Sequence, residues 1–151
     1  MTDFVQQVCE FNRIAGTKNE FDERKAALYI GLCLEELAEV IESLNDRKAF
    51  RIMTDSLDLW SKRFKEGDFD ADVAKMDRVE CLDGFIDLAV VSLGGAYAIG
   101  ADVQGAANEV SQSNLSKYDL KPDGTHAVIR DENGKVKKGP NYKPPELEKF
   151  L

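Results

Sequence analysis

Two stretches decide how this chain folds, LCLEELAEVIE at residues 32–42 and ECLDGFIDLAVV at residues 80–91. In the first, apolar residues recur at helical spacing, and Glu36 and Glu39 stand three apart, neighbours on one helical face. Four residues before Glu36 that stripe holds Leu32. In the second, Glu80, Asp83 and Asp87 follow an i, i+3, i+7 course, and the stripe runs on into Val90, Val91 and Gly94. Both stretches read as helices that carry acids where the periodicity otherwise places core.

The pattern extends outward from these two. Residues 3–14 predict a short helix with Phe4, Val8 and Phe11 on one face, closed near Gly16. The first acid stretch belongs to a longer helix over 22–45, capped by Asp22, with Leu28, Leu32, Leu37, Val40, Ile41 and Leu44 as core. The pattern weakens over 46–53. Asp55 then opens a third piece, with Leu57, Trp60 and Phe64 at helical spacing up to Gly67, and Trp60 reads as core. The longest apolar run, 71–99, ends among Gly94, Gly95 and Gly100, which suggests close packing against a neighbour, and another helix covers 102–112. Beyond it the character changes. THAVIRDENGKVKKG (125–139) sets β-branched residues on both sides of Asn133-Gly134, a hairpin signal, and the prolines of GPNYKPPEL (139–147) impose extended loop. The expectation is an all-α fold, a helical bundle of about four to five helices with a short C-terminal β-hairpin and loop arm. It forms a single domain over 1–151, with hairpin and arm at 114–151.

Composition narrows the function. The chain has 151 residues, 28 acidic against 20 basic, and a formal net charge of -8. That balance repels nucleic-acid polymers and anionic membranes alike, and no run approaches the ~18 apolar residues of a membrane span. The region 114–151 holds eight of the basic residues and six of the acidic ones, so a mildly cationic tail follows an acidic body. Cys9, Cys33 and Cys81 are widely spaced and lie among apolar residues, which predicts reduced, buried thiols in a cytoplasmic protein. A single histidine, His126, excludes an H-E-x-x-H zinc site.

Carboxylates that continue an apolar stripe repel one another and are costly to desolvate, and a bound cation relieves both penalties. Oxygen ligands without His or Cys select Mg²⁺, with Mn²⁺ as a substitute, rather than zinc. Spacing alone is also met by a solvated acidic helix face, and Glu35 and Glu42 fit such a face whichever reading holds for the others.

Glu35-Glu36-Leu37-Ala38-Glu39 and Glu80-Cys81-Leu82-Asp83 resemble the E-E-x-x-E and E-x-x-D signature of the all-α nucleoside triphosphate pyrophosphohydrolases, the MazG-like superfamily that includes phosphoribosyl-ATP pyrophosphohydrolase. FNRIAG (11–16), DGFIDLAVVSLGGAYAIGAD (83–102), EVSQSNLSKYD (109–119) and DENGKVKKGPNYKPPEL (131–147) are similar to one phosphoribosyl-ATP pyrophosphohydrolase-like branch. The resemblance implies that Glu36, Glu39, Glu80 and Asp83 ligate Mg²⁺. Asp87 is a further ligand candidate, since the family's aspartate also aligns with the Asp of IDLA; that register puts Gly84 at the glutamate position. Asn114, Lys117, Lys138, Asn141 and Tyr142 match the branch's polar positions and would contact phosphate, sugar or base. The stretch between the acid motifs is longer than in compact members, which marks 45–70 as an inserted helical segment.

The implied activity is Mg²⁺-dependent cleavage of a nucleoside triphosphate between the α and β phosphates, giving monophosphate and pyrophosphate, with Glu35 or Glu39 as proton acceptor. Lys117 and Lys138 would balance the remaining phosphate charge. A homodimer or homotetramer is expected. Phosphoribosyl-ATP hydrolysis at the same site is the first alternative, and a non-enzymatic helical module with an acidic binding face is the second.

Overall fold

The computed structural model describes residues 3–44 and 47–151. Among them are six α-helices, α1 (Phe4–Ile14), α2 (Glu23–Glu42), α3 (Arg47–Glu66), α4 (Asp70–Val73), α5 (Arg78–Ala98) and α6 (Val103–Leu115), with one small antiparallel sheet of β1 (Asp119–Leu120) and β2 (His126–Ala127). The architecture is the expected all-α one with a short hairpin near the C-terminus. The chain divides into two compact units. One comprises Met1–Asn19, Asp77–Asp131 and Val136–Leu151; the other comprises Glu20–Met76 and Glu132–Lys135.

In the second unit, α2 begins where Asp22 accepts a hydrogen bond from the Lys25 amide at 2.9 Å, a side-chain cap that satisfies one of the helix's unpaired N–H groups. Helix α3 is the principal partner of α2. Their contact depends on Gly31, where a Cβ would lie 2.8 Å from the Ser61 carbonyl oxygen. Ser61 itself is almost wholly buried. At the far end of the pair, Arg24 of α2 donates to the Phe64 and Lys65 carbonyls, closing the C-terminus of α3 whose last carbonyls lack helical partners. The helical part of this segment starts at Arg47, not at Asp55, because the amphipathic pattern of α3 includes Phe50 and Thr54, the latter buried. Residues 45 and 46, where the expected 22–45 helix ends and the expected 45–70 segment begins, lie outside the described residues.

Several side chains expected in the core are not there. Leu28 is buried, and Leu32 and Ile41 are half-buried, but Leu37, Val40 and Leu44 are exposed. Trp60 is 44% exposed and stacks on Phe69, ring centroids 5.6 Å apart, with the Arg63 guanidinium 5.3 Å from its ring centre. Helices α2 and α3 have one face for each other, and these side chains lie off that face within the unit.

The first unit is built on α1 and α6. Gln7 is buried between them and donates to Asn108 at 3.3 Å, and Phe11 meets Tyr118 with ring centroids 5.0 Å apart. The Tyr118 hydroxyl donates to the Phe11 carbonyl at 2.9 Å, satisfying a backbone group at the end of α1. Helix α5 starts at Asp77, whose side chain accepts from the Val79 and Glu80 amides, and it contains no buried residue. Within the apolar run 71–99 Val73 is buried, Met76, Cys81, Phe85 and Ala96 are half-buried and the rest of α5 is exposed, and among the described residues no atom lies within 4 Å of where a Cβ would stand at Gly94 or Gly95. Gly100 differs from these two, because its φ of +89° ends the helix in the left-handed region.

The regular sheet forms across a turn with Gly124 at φ +81°, pairing Leu120 with His126, while the expected reversal at Asn133-Gly134 also forms, with Gly134 at φ +87°, closed by an antiparallel bridge between Arg130 and Val136 and by the Lys137 amide donating to the Ile129 carbonyl at 2.8 Å. The cysteines differ as well, since Cys9 is exposed and Cys33 and Cys81 are half-buried. They sit on helix faces that have too little cover to enclose them.

The Gly31 contact predicts that Gly31→Ala destabilises the protein by about 1–3 kcal/mol, although alanine has the better helix propensity. Urea unfolding of the two proteins measures this. An unchanged or raised midpoint contradicts the close approach of α2 and α3.

Candidate functional site

The acid motifs fall one in each unit. On α2, Glu36 and Glu39 are exposed and share one face, while Glu35 is half-buried on another. Glu35 is clamped: its Oε1 lies 3.1 Å from Lys65 Nζ and its Oε2 lies 2.6 Å from Lys135 Nζ. Burial alone would raise the Glu35 carboxyl, but the hydrogen bonds from Lys135 and Lys65, with their charges, outweigh it and hold the group below its ordinary value. Lys135 arrives from the 132–135 turn, whose Asn133 carbonyl also accepts from Arg24 at 3.5 Å. Glu36 stands near Cys33, whose thiol is pushed up by burial and further by the Glu36 charge.

On α5, Glu80, Asp83 and Asp87 are all exposed, on the first half of the helix. No hydrogen bond or ion pair to another described residue engages the side chains of Glu39, Glu80, Asp83 or Asp87, in contrast to the double grip on Glu35. Among the described residues, neither unit by itself gathers three His, Cys, Asp or Glu side chains into a metal-holding group. Carboxylate oxygens without nitrogen or sulfur are the donor type that a hard divalent cation takes.

The five polar candidates all lie in the first unit, and the fold brings their two segments together. Asn114 and Lys117 occupy the end of α6 and the turn after it, with Lys117 Nζ donating to Asn114 Oδ1 at 2.7 Å and lying 5.7 Å from the Phe11 ring centre. Lys138, Asn141 and Tyr142 occupy the loop arm; Lys138 Nζ lies 4.7 Å from the Tyr142 ring centre. The arm is stapled to α6 by the serines of SNLSK. Ser113 Oγ donates to the Lys143 carbonyl at 2.8 Å, and the Lys143 amide donates to Ser116 Oγ at 2.8 Å. Further along, Glu109 accepts from the Glu146 amide at 3.1 Å and pairs with Lys149 at 3.1 Å. These contacts, and the Lys149 charge, hold the Glu109 carboxyl below its usual value. The backbone at Gly139 comes so near Lys117 that a Cβ there would lie 2.8 Å from the Lys117 carbonyl oxygen. The segment that holds Asn114 and Lys117 and the segment that holds Lys138, Asn141 and Tyr142 thereby run side by side in the first unit.

Three supporting groups are not apparent from the sequence. Asp119 Oδ1 accepts from Asn141 Nδ2 at 2.7 Å and so orients that amide; it is the last residue of EVSQSNLSKYD, and its place in the motif was the available signal. Ser113 and Ser116 were visible in the same motif, but their hold on Lys143 needs the arm to double back along α6. Lys65 and Lys135 had no signal, since 30 and 100 residues separate them from Glu35.

Compared with protein-family models, with curated proteins and with solved structures, the chain gives no match.

The Glu35 clamp makes a signed prediction. A carboxylate whose folded pKa is depressed contributes stability above its unfolded value and loses it as pH falls through the folded one. Glu35→Gln is therefore expected to cost about 1 kcal/mol or less near neutrality, the difference from wild type shrinking as acid protonates Glu35 and disappearing below its lowered folded value. Thermal unfolding across pH measures it; a difference that does not shrink on acidification contradicts the clamp.

Proposed function

We propose that this chain is a Mg²⁺-dependent nucleoside triphosphate pyrophosphohydrolase, cleaving between the α and β phosphates to release a nucleoside monophosphate and pyrophosphate. The observation that carries this reading is the stapling of SNLSK to the KGPNYK arm, which sets the segment with Asn114 and Lys117 beside the segment with Lys138, Asn141 and Tyr142. A polar cluster with two cations suits a phosphorylated ligand, and it lies in a protein whose bulk charge would otherwise repel one. The carboxylates of Glu39, Glu80, Asp83 and Asp87, without partners among the described residues, are the complementary support.

In this reading Glu36, Glu39, Glu80, Asp83 and Asp87 are the candidate ligands of the divalent ion, or of Mn²⁺ in its place. When bound, the ion neutralises phosphate charge and acidifies a water. Glu39 accepts the proton of the attacking water at a carboxylate oxygen. It suits this role better than Glu35, whose two oxygens already receive hydrogen bonds from lysines. Lys117 and Lys138 offset charge on the departing pyrophosphate, while Asn114, Asn141 and Tyr142 contact sugar or base. Water oxygen joins phosphorus as the α–β bridging bond breaks, and the electron pair leaves with pyrophosphate. The proposal includes a homodimer or homotetramer in the cytoplasm that binds neither nucleic-acid polymers nor membranes. Among the described residues no single helix is long and apolar enough to cross a membrane.

Pyrophosphate release across a panel of nucleoside triphosphates and phosphoribosyl-ATP, with and without Mg²⁺, tests the activity and separates the two substrate classes. The pair Glu36→Gln with Asp83→Asn is expected to lower turnover at least about 100-fold, a loss of several kcal/mol in charge stabilisation. Lys138→Ala is expected to raise KM more than it lowers kcat. No release from any substrate, or full turnover by the double variant, overturns the reading.

A further inference from the structure

We propose that the amides of Asn114 and Asn141 are locked in opposite senses, the first presenting hydrogen-bond donors and the second an acceptor, with Asp119 as the positioning residue for Asn141. The inference rests on the nucleotide reading above and deepens it: Asn141 takes a donor group of the nucleoside, a sugar hydroxyl or a base N–H. A primary amide accepts at its oxygen and donates at its nitrogen, and a half-turn about its last bond exchanges the two. Only a neighbour confined to one part fixes the choice. Lys117 is such a neighbour, because an ammonium can only donate. Its Nζ lies 2.7 Å from Asn114 Oδ1, which commits that oxygen and leaves the Asn114 N–H groups for a ligand. Asp119 is the converse, because a carboxylate can only accept. Its Oδ1 lies 2.7 Å from Asn141 Nδ2, which commits one N–H and leaves Asn141 Oδ1 without a partner among the described residues. Each of these bonds joins a charged group to a neutral amide, a pairing roughly twice as strong as a neutral one.

The backbone holds the arm to Asp119 independently of that bond. The Tyr142 amide donates to the Gly139 carbonyl at 3.2 Å, so residues 139–142 form a turn with Pro140 at its second position, where the fixed φ of proline is favoured. Asn141 follows at the third. Gly139 abuts the other oxygen of the same carboxylate, since a Cβ there would lie 3.2 Å from Asp119 Oδ2. Asp119 thus meets both the first and the third residue of the turn. The charges beside the two amides favour the same assignment. A ligand oxygen carrying negative charge is attracted to Asn114 by Lys117, whereas at Asn141 it would approach the Asp119 carboxylate and be repelled. The N–H that Asn141 retains is therefore closed to phosphate, and its oxygen cannot pair with an acceptor. An ionised triphosphate offers acceptors only, so the donors that Asn141 can take belong to the sugar or the base. Neither the sense of the amides nor this part for Asp119 follows from the motifs in which they stand.

The test is steady-state pyrophosphate release by the full chain with Mg²⁺, read as the ratio of KM values between a nucleotide and its analogue lacking one donor. One arm removes the sugar hydroxyls singly; the other replaces the base amino group by hydrogen or methylates the ring N–H. Loss of the donor that Asn141 takes is expected to raise KM at least about fivefold with kcat little changed, the worth of one hydrogen bond. The arm in which this occurs identifies sugar or base. Asn141→Ala should abolish the difference. Asp119→Asn leaves Asn141 a partner that both donates and accepts, so the amide can turn over and the ratio should fall at least about twofold. A bond that merely holds the arm would shift both substrates of a pair alike, and the ratio would not move. Far-UV circular dichroism is the fold control, and Asn141→Ala, at an exposed position, carries the test should Asp119→Asn disturb folding. No release by the wild type from any nucleotide overturns the nucleotide reading and this inference with it. Release indifferent to every donor deletion, or a ratio that survives Asn141→Ala, leaves that reading standing and overturns the inference. A ratio unchanged by a folded Asp119→Asn overturns the part given to Asp119.

Discussion

Negative charge without a partner is the constraint around which this molecule is arranged. Where a carboxylate is half-enclosed, as at Glu35, two ammonium groups from distant parts of the sequence come to it, and the ion pair offsets the cost of removing the charge from water. Where carboxylates have no such partners among the described residues, at Glu39, Glu80, Asp83 and Asp87, they stay on the surface, although the helices beneath them are otherwise apolar. A net charge of -8 makes each of these groups repel the rest.

The cationic counterpart is organised by hydrogen bonds rather than by burial. The loop arm has no core of its own, and its prolines exclude helix. It is held by side chains that accept from or donate to its backbone: Ser113 and Ser116 at Lys143, and Glu109 at Glu146, with the Phe150 carbonyl accepting from the Asp102 amide at 2.8 Å as a further tie. Each of these also satisfies a backbone group in a segment with little secondary structure. The arm is fixed at several points along α6, so Lys138 and Tyr142 occupy defined positions and not the tip of a free tail. Preorganisation of this kind reduces the ordering cost of binding a ligand.

The helical architecture was legible because helix starts and stops are local. Asp22 and Gly16 act within a few residues of themselves, and both do what the sequence predicts. What covers each helix is not local, and there the pattern misleads. Leu37, Val40, Trp60 and most of α5 carry core-like patterns yet are exposed, because periodicity reports that a face is apolar and not what covers it. At the site, the residues of SNLSK and KGPNY were legible as motifs, and the staple between them was not, since it depends on the arm's return along α6. The hairpin shows the same limit in small: the Asn133-Gly134 turn signal is local and the reversal forms, but its Lys135 reaches Glu35 and its Asn133 carbonyl reaches Arg24, contacts that no local signal carries.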